Sequence, residues 1–210
     1  MNIILPVKHA DRGPITHMGH SRATKEQSHE RIVQTAAARF REAGVDGIGV
    51  ADLMKEAGLT HGGFYRHFAS RDDLVAEAVE CALSDGGRAV EAVAAAQLDR
   101  QALVAALVDA YLSTAHRDGL ATSCAVTTLA GDVARSNDRA RAAYTQQVGI
   151  YLELLAKLAL ADRPKARRAK AIAALSSLVG AVSLARAVND EKLSREILKS
   201  AADELKAQLG

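Results

Sequence analysis

The stretch from Val50 to Phe68 reads VADLMKEAGLTHGGFYRHF, and it decides how the chain folds. Gly58 separates two short segments of helical composition, which predicts a short helix, a tight turn and a second short helix. Gly62 and Gly63 stand near the start of the second helix, although a glycine in a helix costs about 1 kcal/mol relative to alanine. Because glycine lets a backbone approach another surface closely, this composition favours a helix that lies against a partner.

The second helix has an apolar side and a polar side. Phe64 and Phe68 are four residues apart and are expected to anchor it in a core. The residues expected to point outward all carry donors: Thr60, His61, Tyr65, Arg66 and His67. Outward donors, inward apolar anchors and small leading residues are what a helix in the major groove of DNA requires. A helical hairpin with no role in DNA binding is the alternative.

The segments on either side also have helical periodicity. Ile32, Ala36 and Phe40 recur every four residues and predict a helix that Gly44 ends. We expect Thr60 to cap the short helix that runs through Phe68.

A longer helix is predicted to follow. Ser70 is expected to cap it, with Asp73 three positions on as a capping box. The pair Gly86–Gly87 is expected to end or bend it.

The rest of the chain predicts further helices with short breaks. Asn137 is expected to cap a long helix, and Pro164 fits the first turn of the next, which should run to about Val188. Leu193, Ile197 and their successors repeat every four residues to the end of the chain. No segment shows the period of a strand, so the predicted fold class is all-α.

Composition excludes several classes of protein. Of 210 residues, 49% are apolar, which suffices for a core and excludes a disordered chain. No apolar run approaches the roughly 20 residues that span a bilayer, so we expect no membrane role. Two cysteines, Cys81 and Cys124, form no disulfide framework and no paired metal-ligand spacing, which indicates a cytoplasmic protein.

The charge balance does not by itself indicate nucleic-acid binding. There are 27 Lys and Arg residues and 25 Asp and Glu residues, a net charge of +2. Residues 21–70 hold seven basic and six acidic residues, a net charge of +1. Binding to DNA would therefore rest on a few well-placed phosphate contacts.

The region from residue 28 to about residue 85 resembles the DNA-binding head of the TetR family of bacterial transcription regulators. The resemblance is carried by Arg31-Ile32, Phe40, Gly44, Gly58-Leu59-Thr60, Phe64-Tyr65-Arg66-His67-Phe68 and Ser70-Arg71-Asp72-Asp73-Leu74. It implies an all-α homodimer with an N-terminal three-helix helix-turn-helix head and a C-terminal body that binds an effector and dimerises. The expected divisions are a flexible lead-in at 1–20, the head at 21–70, and a linking helix with the body at 71–210.

The resemblance also implies roles for individual residues. It places Thr60, His61, Gly62 and Gly63 near base edges, Tyr65 and His67 on phosphate oxygens, and Arg71 at the DNA backbone. Arg66, an outward donor by its position in the helix, is a further candidate for DNA binding. Gly49 departs from the family pattern, in which a Thr or Ser commonly supports a phosphate contact before the second helix. The partners implied are a double-stranded, near-palindromic DNA operator and a second copy of the chain.

The body contains no recognisable catalytic, metal-binding or phosphate-binding pattern, so no enzyme activity and no cofactor is expected. The resemblance implies an effector cavity between its middle helices, and the candidates for its wall are Tyr111, Cys124, Thr127, Thr128, Tyr144 and Tyr151. The expected function is a repressor that a small molecule or an electrophile releases from DNA. A thiol-based redox or electrophile sensor acting through Cys124 is the alternative, and a helical enzyme or non-DNA adaptor is a remote one.

A dimer interface is expected on the last two helices. Large and small side chains alternate there in a way that allows close helix packing. The candidates are Leu175, Leu178, Val179, Val182 and Leu184.

Overall fold

The structure is a computed structural model that describes residues 22–95 and 98–209. Ten α-helices lie within these ranges: α1 (Arg22–Ala43), α2 (Val50–Glu56), α3 (Arg71–Ala95), α4 (Arg100–Tyr111), α5 (Thr114–Asp118), α6 (Ala125–Thr128), α7 (Ala130–Ala134), α8 (Asp138–Leu158), α9 (Pro164–Ala187) and α10 (Glu191–Leu209). Three short 3-10 helices are Val45–Gly47, His61–Arg66 and Leu120–Thr122. The described ranges contain no strand, and the predicted all-α class is confirmed. The predicted lead-in, residues 1–20, lies outside the described residues.

The head is built on the apolar stripe of α1. Ile32 and Phe40 of α1 are at most 1% exposed, as are Leu53 and Met54 of α2. Phe64, from the 3-10 helix His61–Arg66, joins the same cluster. The four-residue repeat in the sequence therefore marks the buried face of α1, as predicted.

The core of the head extends into the rest of the chain. Leu74 and Val79 of α3 are fully buried in the same cluster, together with Leu129 and Val133 from the region of α6 and α7. Residues on both sides of position 70, the predicted end of the head, therefore pack in one hydrophobic cluster. Division of the chain into the predicted domains stays a prediction.

A second core lies between α4, α8, α9 and α10. Val104, Leu155, Val182 and Leu205 contribute one side chain from each of these helices, and none is more than 3% exposed. On α10, Leu205 and Leu209 of the four-residue repeat are buried in this core together with Leu198, whereas Leu193 is 41% exposed.

The helix α9 is apolar and long enough to cross a membrane by composition, with a mean hydropathy of 1.3 over its most apolar window. The expectation of no such segment was therefore too strict. One side of α9 packs into the second core, as the core helices of many soluble proteins do.

The prediction that Gly86–Gly87 ends α3 was wrong, because α3 runs to Ala95. The reason is a close helix crossing. A Cβ atom at Gly86 would collide with the hydroxyl of Tyr151 on α8. The glycine is therefore a place where another helix approaches closely.

Two of the predicted caps are confirmed. The amide of Asp73 donates to Ser70 Oγ at 3.1 Å, and the amide of Ala140 donates to Asn137 Oδ1 at 3.0 Å. Thr60 occupies the N-cap position of the 3-10 helix His61–Arg66, as predicted, but its side chain makes no capping hydrogen bond. The amide of Gly63 donates instead to the backbone carbonyl of Thr60 at 2.9 Å, as the tighter 3-10 geometry requires.

Candidate nucleic-acid interface and ligand cavity

The 3-10 helix His61–Arg66, here called the recognition segment, presents a polar face to solvent. Thr60, His61, Gly62 and Arg66 are exposed, and the side chain of Tyr65 is 76% exposed. Gly63 and His67 are half-buried. The structure thus brings the predicted base-edge and phosphate residues onto one short surface.

Aromatic contacts hold the recognition segment against the head. The rings of Phe64 and Phe68 stack at 5.4 Å between centroids, and Phe68 also stacks on His29 of α1 at 4.6 Å. Nε2 of His29 lies 2.6 Å from Oε2 of Glu77 on α3. Tyr65 meets the edge of Phe64 at 5.2 Å, so an otherwise exposed ring has a preferred direction.

The two glycines of the recognition segment are not required by its own fold. Neither has a positive φ, and a Cβ atom at Gly62 would meet nothing within 4 Å. A Cβ atom at Gly63 would make ordinary contacts, 3.6 Å to Met54 Cε and 3.8 Å to Thr60 Oγ1. The missing side chains therefore leave room on the outer surface of the protein.

His67 is partly withdrawn from solvent. Burial, together with the positive fields of His29, Lys25 and Arg66, lowers the pKa of His67. The neutral ring therefore predominates at pH 7 in the free protein, and it can donate a hydrogen bond to a phosphate. This phosphate contact stays a prediction.

Arg71 is engaged within the head. Its guanidinium donates to the carbonyl of Val45 at 2.5 Å and to Asp46 Oδ1 at 3.3 Å. Arg71 thereby fixes the start of α3 against the 3-10 helix Val45–Gly47. The side chain is 37% exposed and a guanidinium carries five N–H donors, so these two bonds leave donors for other acceptors. Its contact with DNA stays a prediction.

A cavity of about 300 Å³ lies in the body, between α3, α4, α8, α9 and the segment from α5 to α6. Its wall is mainly apolar. Three of the predicted residues line it: Tyr111, Cys124 and Tyr151. The thiol of Cys124 is half-buried and lies 3.5 Å from the hydroxyl of Tyr151.

The other three predicted cavity residues do not line the wall, and this part of the prediction was wrong. Their polar atoms are used in local structure. Thr127 Oγ1 lies 2.6 Å from the hydroxyl of Tyr111, and Thr128 donates to the carbonyl of Cys124 at 3.2 Å. Tyr144 donates to the carbonyl of Val126 at 2.7 Å.

The cavity also contains residues that the sequence analysis missed. They include Asp85 and Gly86 of α3 and His116 of α5. No local motif marks them, since they meet only when α3 packs beside α5 and α8. The glycine pair Gly86–Gly87 was noticed in the sequence, but it was interpreted as a helix end or bend.

The titratable rings of the cavity are neutral at pH 7. Burial raises the pKa of Tyr111 and of Tyr151, in each case with the Cys124 thiol as a further cause. Burial also lowers the pKa of His116, against the effect of its hydrogen bond with the Tyr111 backbone. His116 Nδ1 donates to the carbonyl of Tyr111 at 2.6 Å, and Nε2 accepts from the amide of Cys124 at 3.0 Å. One neutral tautomer satisfies both bonds.

The predicted dimer residues need correction. Leu175 and Leu178 line the cavity, and Val182 is fully buried in the second core, so these three do not face a partner. Val179 is half-buried between the two cores. Of the predicted set, Leu184 alone is an exposed side chain, at 58%.

Known proteins resemble this chain in sequence. The sequence profile of bacterial regulatory proteins of the tetR family matches residues 32–78. Two uncharacterized HTH-type transcriptional regulators from strains of Mycobacterium tuberculosis are each 31% identical over 173 residues, which is 77% of this chain and 85% of the relative.

Solved structures resemble it in fold. The reduced form of NemR from E. coli has a TM-score of 0.73 and 19% identity, covering 88% of this chain and 97% of NemR. A TetR transcriptional regulator from Chloroflexus aurantiacus has a TM-score of 0.72 and 25% identity, covering 88% and 95%.

Proposed function

Since the chain belongs to the TetR family of bacterial transcriptional regulators, we propose that it is a dimeric repressor that a small molecule releases from its operator. The recognition segment reads base edges in the major groove, and the body binds the effector. As a DNA-binding regulator it acts in the cytoplasm and has no catalytic role.

The observation that carries this proposal is the outward surface of the recognition segment. Gly62 carries no side chain, although a Cβ atom there would meet nothing within 4 Å. The exposed ring of Tyr65 packs against the buried ring of Phe64. A surface that keeps glycine at a cost in stability is explained by a partner that comes close to the backbone. Thr60 and His61 then reach base edges, and Tyr65 donates to a phosphate.

The electrostatics of the head fit a small number of phosphate contacts. Arg39, Arg41 and Arg71 each pair with a carboxylate of the protein. Their charges are therefore partly neutralised before DNA arrives. Contacts from neutral donors and from the exposed Arg66 fix the head on the duplex, and the salt dependence of binding is correspondingly shallow.

The outer face of α9 is the proposed dimer interface. Ile172, Ser176, Gly180 and Leu184 are spaced four apart and so lie along one face. Ile172 and Leu184 are 48% and 58% exposed, and a Cβ atom at Gly180 would meet nothing within 4 Å. A stripe with apolar residues at its ends and the small residues Ser176 and Gly180 between them suits a two-fold helix contact. A dimer would carry two recognition segments for the two halves of a near-palindromic operator.

The test is a gel shift with duplex DNA from the region upstream of the gene, repeated with a scrambled duplex of the same length. The proposal expects a complex of two chains per duplex that forms on the upstream DNA and resists competition by the scrambled DNA. Equal binding to both duplexes, or no binding to either, would refute it.

A second candidate is regulation through the thiol of Cys124. It is favoured by the position of Cys124 in the cavity wall, beside the hydroxyl of Tyr151. An electrophile that enters the cavity would alkylate the thiolate and fill the space. Treatment with N-ethylmaleimide should then release DNA from the wild-type chain and leave Cys124→Ser bound. Release from the variant as well would dismiss this candidate.

A further inference from the structure

One turn of α3 lines the cavity and is also hydrogen-bonded to α1 of the head. Ala82, Asp85 and Gly86 form part of the cavity wall. Arg41, in the last turn of α1, donates from Nη1 to Asp85 Oδ2 at 2.7 Å and to the carbonyl of Ala82 at 3.3 Å. The head is therefore bound to the same turn of helix that a ligand would contact.

Arg41 depends on this pairing because it is buried. Its side chain is 7% exposed, and within the described part of the chain its Nε has no hydrogen-bond partner. Asp85 also pairs with Arg88, whose side chain is 67% exposed. If another donor binds the carboxylate of Asp85, the exposed guanidinium of Arg88 can be solvated by water at little cost in free energy. Arg41, in contrast, is left as a buried charge without its counter-ion.

Among the described residues of the cavity wall, Asp85 is the one carboxylate, and no Lys or Arg side chain lines the wall beside it. The remaining wall is aliphatic or made of neutral rings and small polar groups. The cavity volume of about 300 Å³ equals that of about ten water molecules in the liquid. A ligand of roughly ten non-hydrogen atoms therefore fits it.

We propose that Asp85 senses the effector, and that the effector is a small apolar molecule with one hydrogen-bond donor, a protonated amine or a hydroxyl, directed at this carboxylate. This inference rests on the proposed function. A donor on Asp85 competes with Arg41, so α1 is held less firmly to α3. The head then loses the fixed orientation that two half-sites require, and affinity for DNA falls.

Variants of the full-length chain test the link without a ligand. Binding to the upstream duplex is measured by fluorescence anisotropy for wild type, Asp85→Asn and Arg88→Ala. Asp85→Asn should bind about 5- to 150-fold more weakly, the range of an allosteric coupling. Arg88→Ala removes the exposed partner only and should stay within about twofold of wild type. Wild-type affinity in Asp85→Asn, or an equal loss in Arg88→Ala, would overturn the inference.

A second variant covers the case in which Asp85→Asn does not fold. Arg41→Met removes the buried charge together with its need for a counter-ion, and it leaves Asp85 paired with Arg88. Its helical content, measured by circular dichroism, should match wild type while its affinity for DNA falls by a similar factor. A folded Arg41→Met with wild-type affinity would contradict the link. A wild-type chain that binds no duplex would instead refute the proposed function.

Three probes with one carbon skeleton test the class of ligand: phenethylamine, 2-phenylethanol and ethylbenzene. At least one of the first two should bind the wild-type chain in calorimetry and release it from DNA, and the more effective one identifies the donor as ammonium or hydroxyl. Ethylbenzene should not release DNA, and Asp85→Asn should lose the response to the donors. Release by ethylbenzene, an unchanged response in Asp85→Asn, or failure of both donors would each overturn the assignment.

Discussion

Replacement of Gly62 by alanine separates the stability of the protein from its affinity for DNA. Gly62 has no positive φ, and the new Cβ atom would meet nothing within 4 Å. Alanine should therefore stabilise the fold by about 0.4–1 kcal/mol, by restricting the unfolded chain. For a chain of this size that raises the melting temperature by about 1–4 °C.

The same methyl group should weaken DNA binding, because it occupies the space through which the duplex approaches the backbone. We expect a loss of about tenfold, or about 1.4 kcal/mol. The assays are thermal unfolding by circular dichroism and anisotropy titration of the upstream duplex at one fixed salt concentration.

Gly149→Ala is the matched control. Gly149 lies in α8, and a Cβ atom there would also meet nothing within 4 Å. This variant should gain similar stability and keep wild-type affinity. If Gly62→Ala binds DNA as well as wild type does, or is destabilised, the interpretation of the recognition segment is wrong.

Three further predictions follow from the described contacts. Tyr65→Ala should weaken binding to the operator and to unrelated duplexes by the same factor, because a phosphate contact carries no sequence information. Binding is measured on a panel of mutated operators. A loss of affinity confined to one base position would contradict the phosphate role of Tyr65. Gly86→Ala should destabilise the fold by about 1–3 kcal/mol in urea unfolding, because the new methyl group collides with Tyr151, and an unchanged midpoint would show that the crossing of α3 and α8 can relax. Burial lowers the pKa of His116 in the folded state, so on acidification the unfolded chain binds this proton at a higher pH than the folded chain does. The contribution of His116 to the free energy of unfolding should therefore be fully present above about pH 6.5 and should fall as the pH drops below it. His116→Gln should show a smaller loss of unfolding free energy between pH 7.5 and pH 5.5, and an equal loss would remove His116 as its source.

The helices of the head could be predicted because local signals and packing agree there. The stripe of Ile32 and Phe40, the cap at Ser70 and the anchors Phe64 and Phe68 each need only a few neighbouring residues to be recognised. Periodicity identifies a buried face without saying what covers it. For the head that was sufficient, because Phe40, Leu53 and Phe64 from its own helices meet in one cluster.

The body shows where this reasoning ends. Leu175 and Leu178 form an apolar stripe that suits a partner chain or a cavity equally well, and the structure assigns them to the cavity. Gly86 resembles a helix break in sequence because Tyr151, which requires it, is distant along the chain. The position of Asp85 beside Arg41 depends on a contact across 44 residues that no local pattern records.

Hydrogen–deuterium exchange of the full-length chain, with and without a saturating upstream duplex, tests most directly whether the recognition segment meets DNA. The backbone amides of residues 60–67 should become protected on binding, because this exposed surface is then covered by the major groove. Unchanged exchange over residues 60–67 in a saturated complex, with protection elsewhere, would contradict the account.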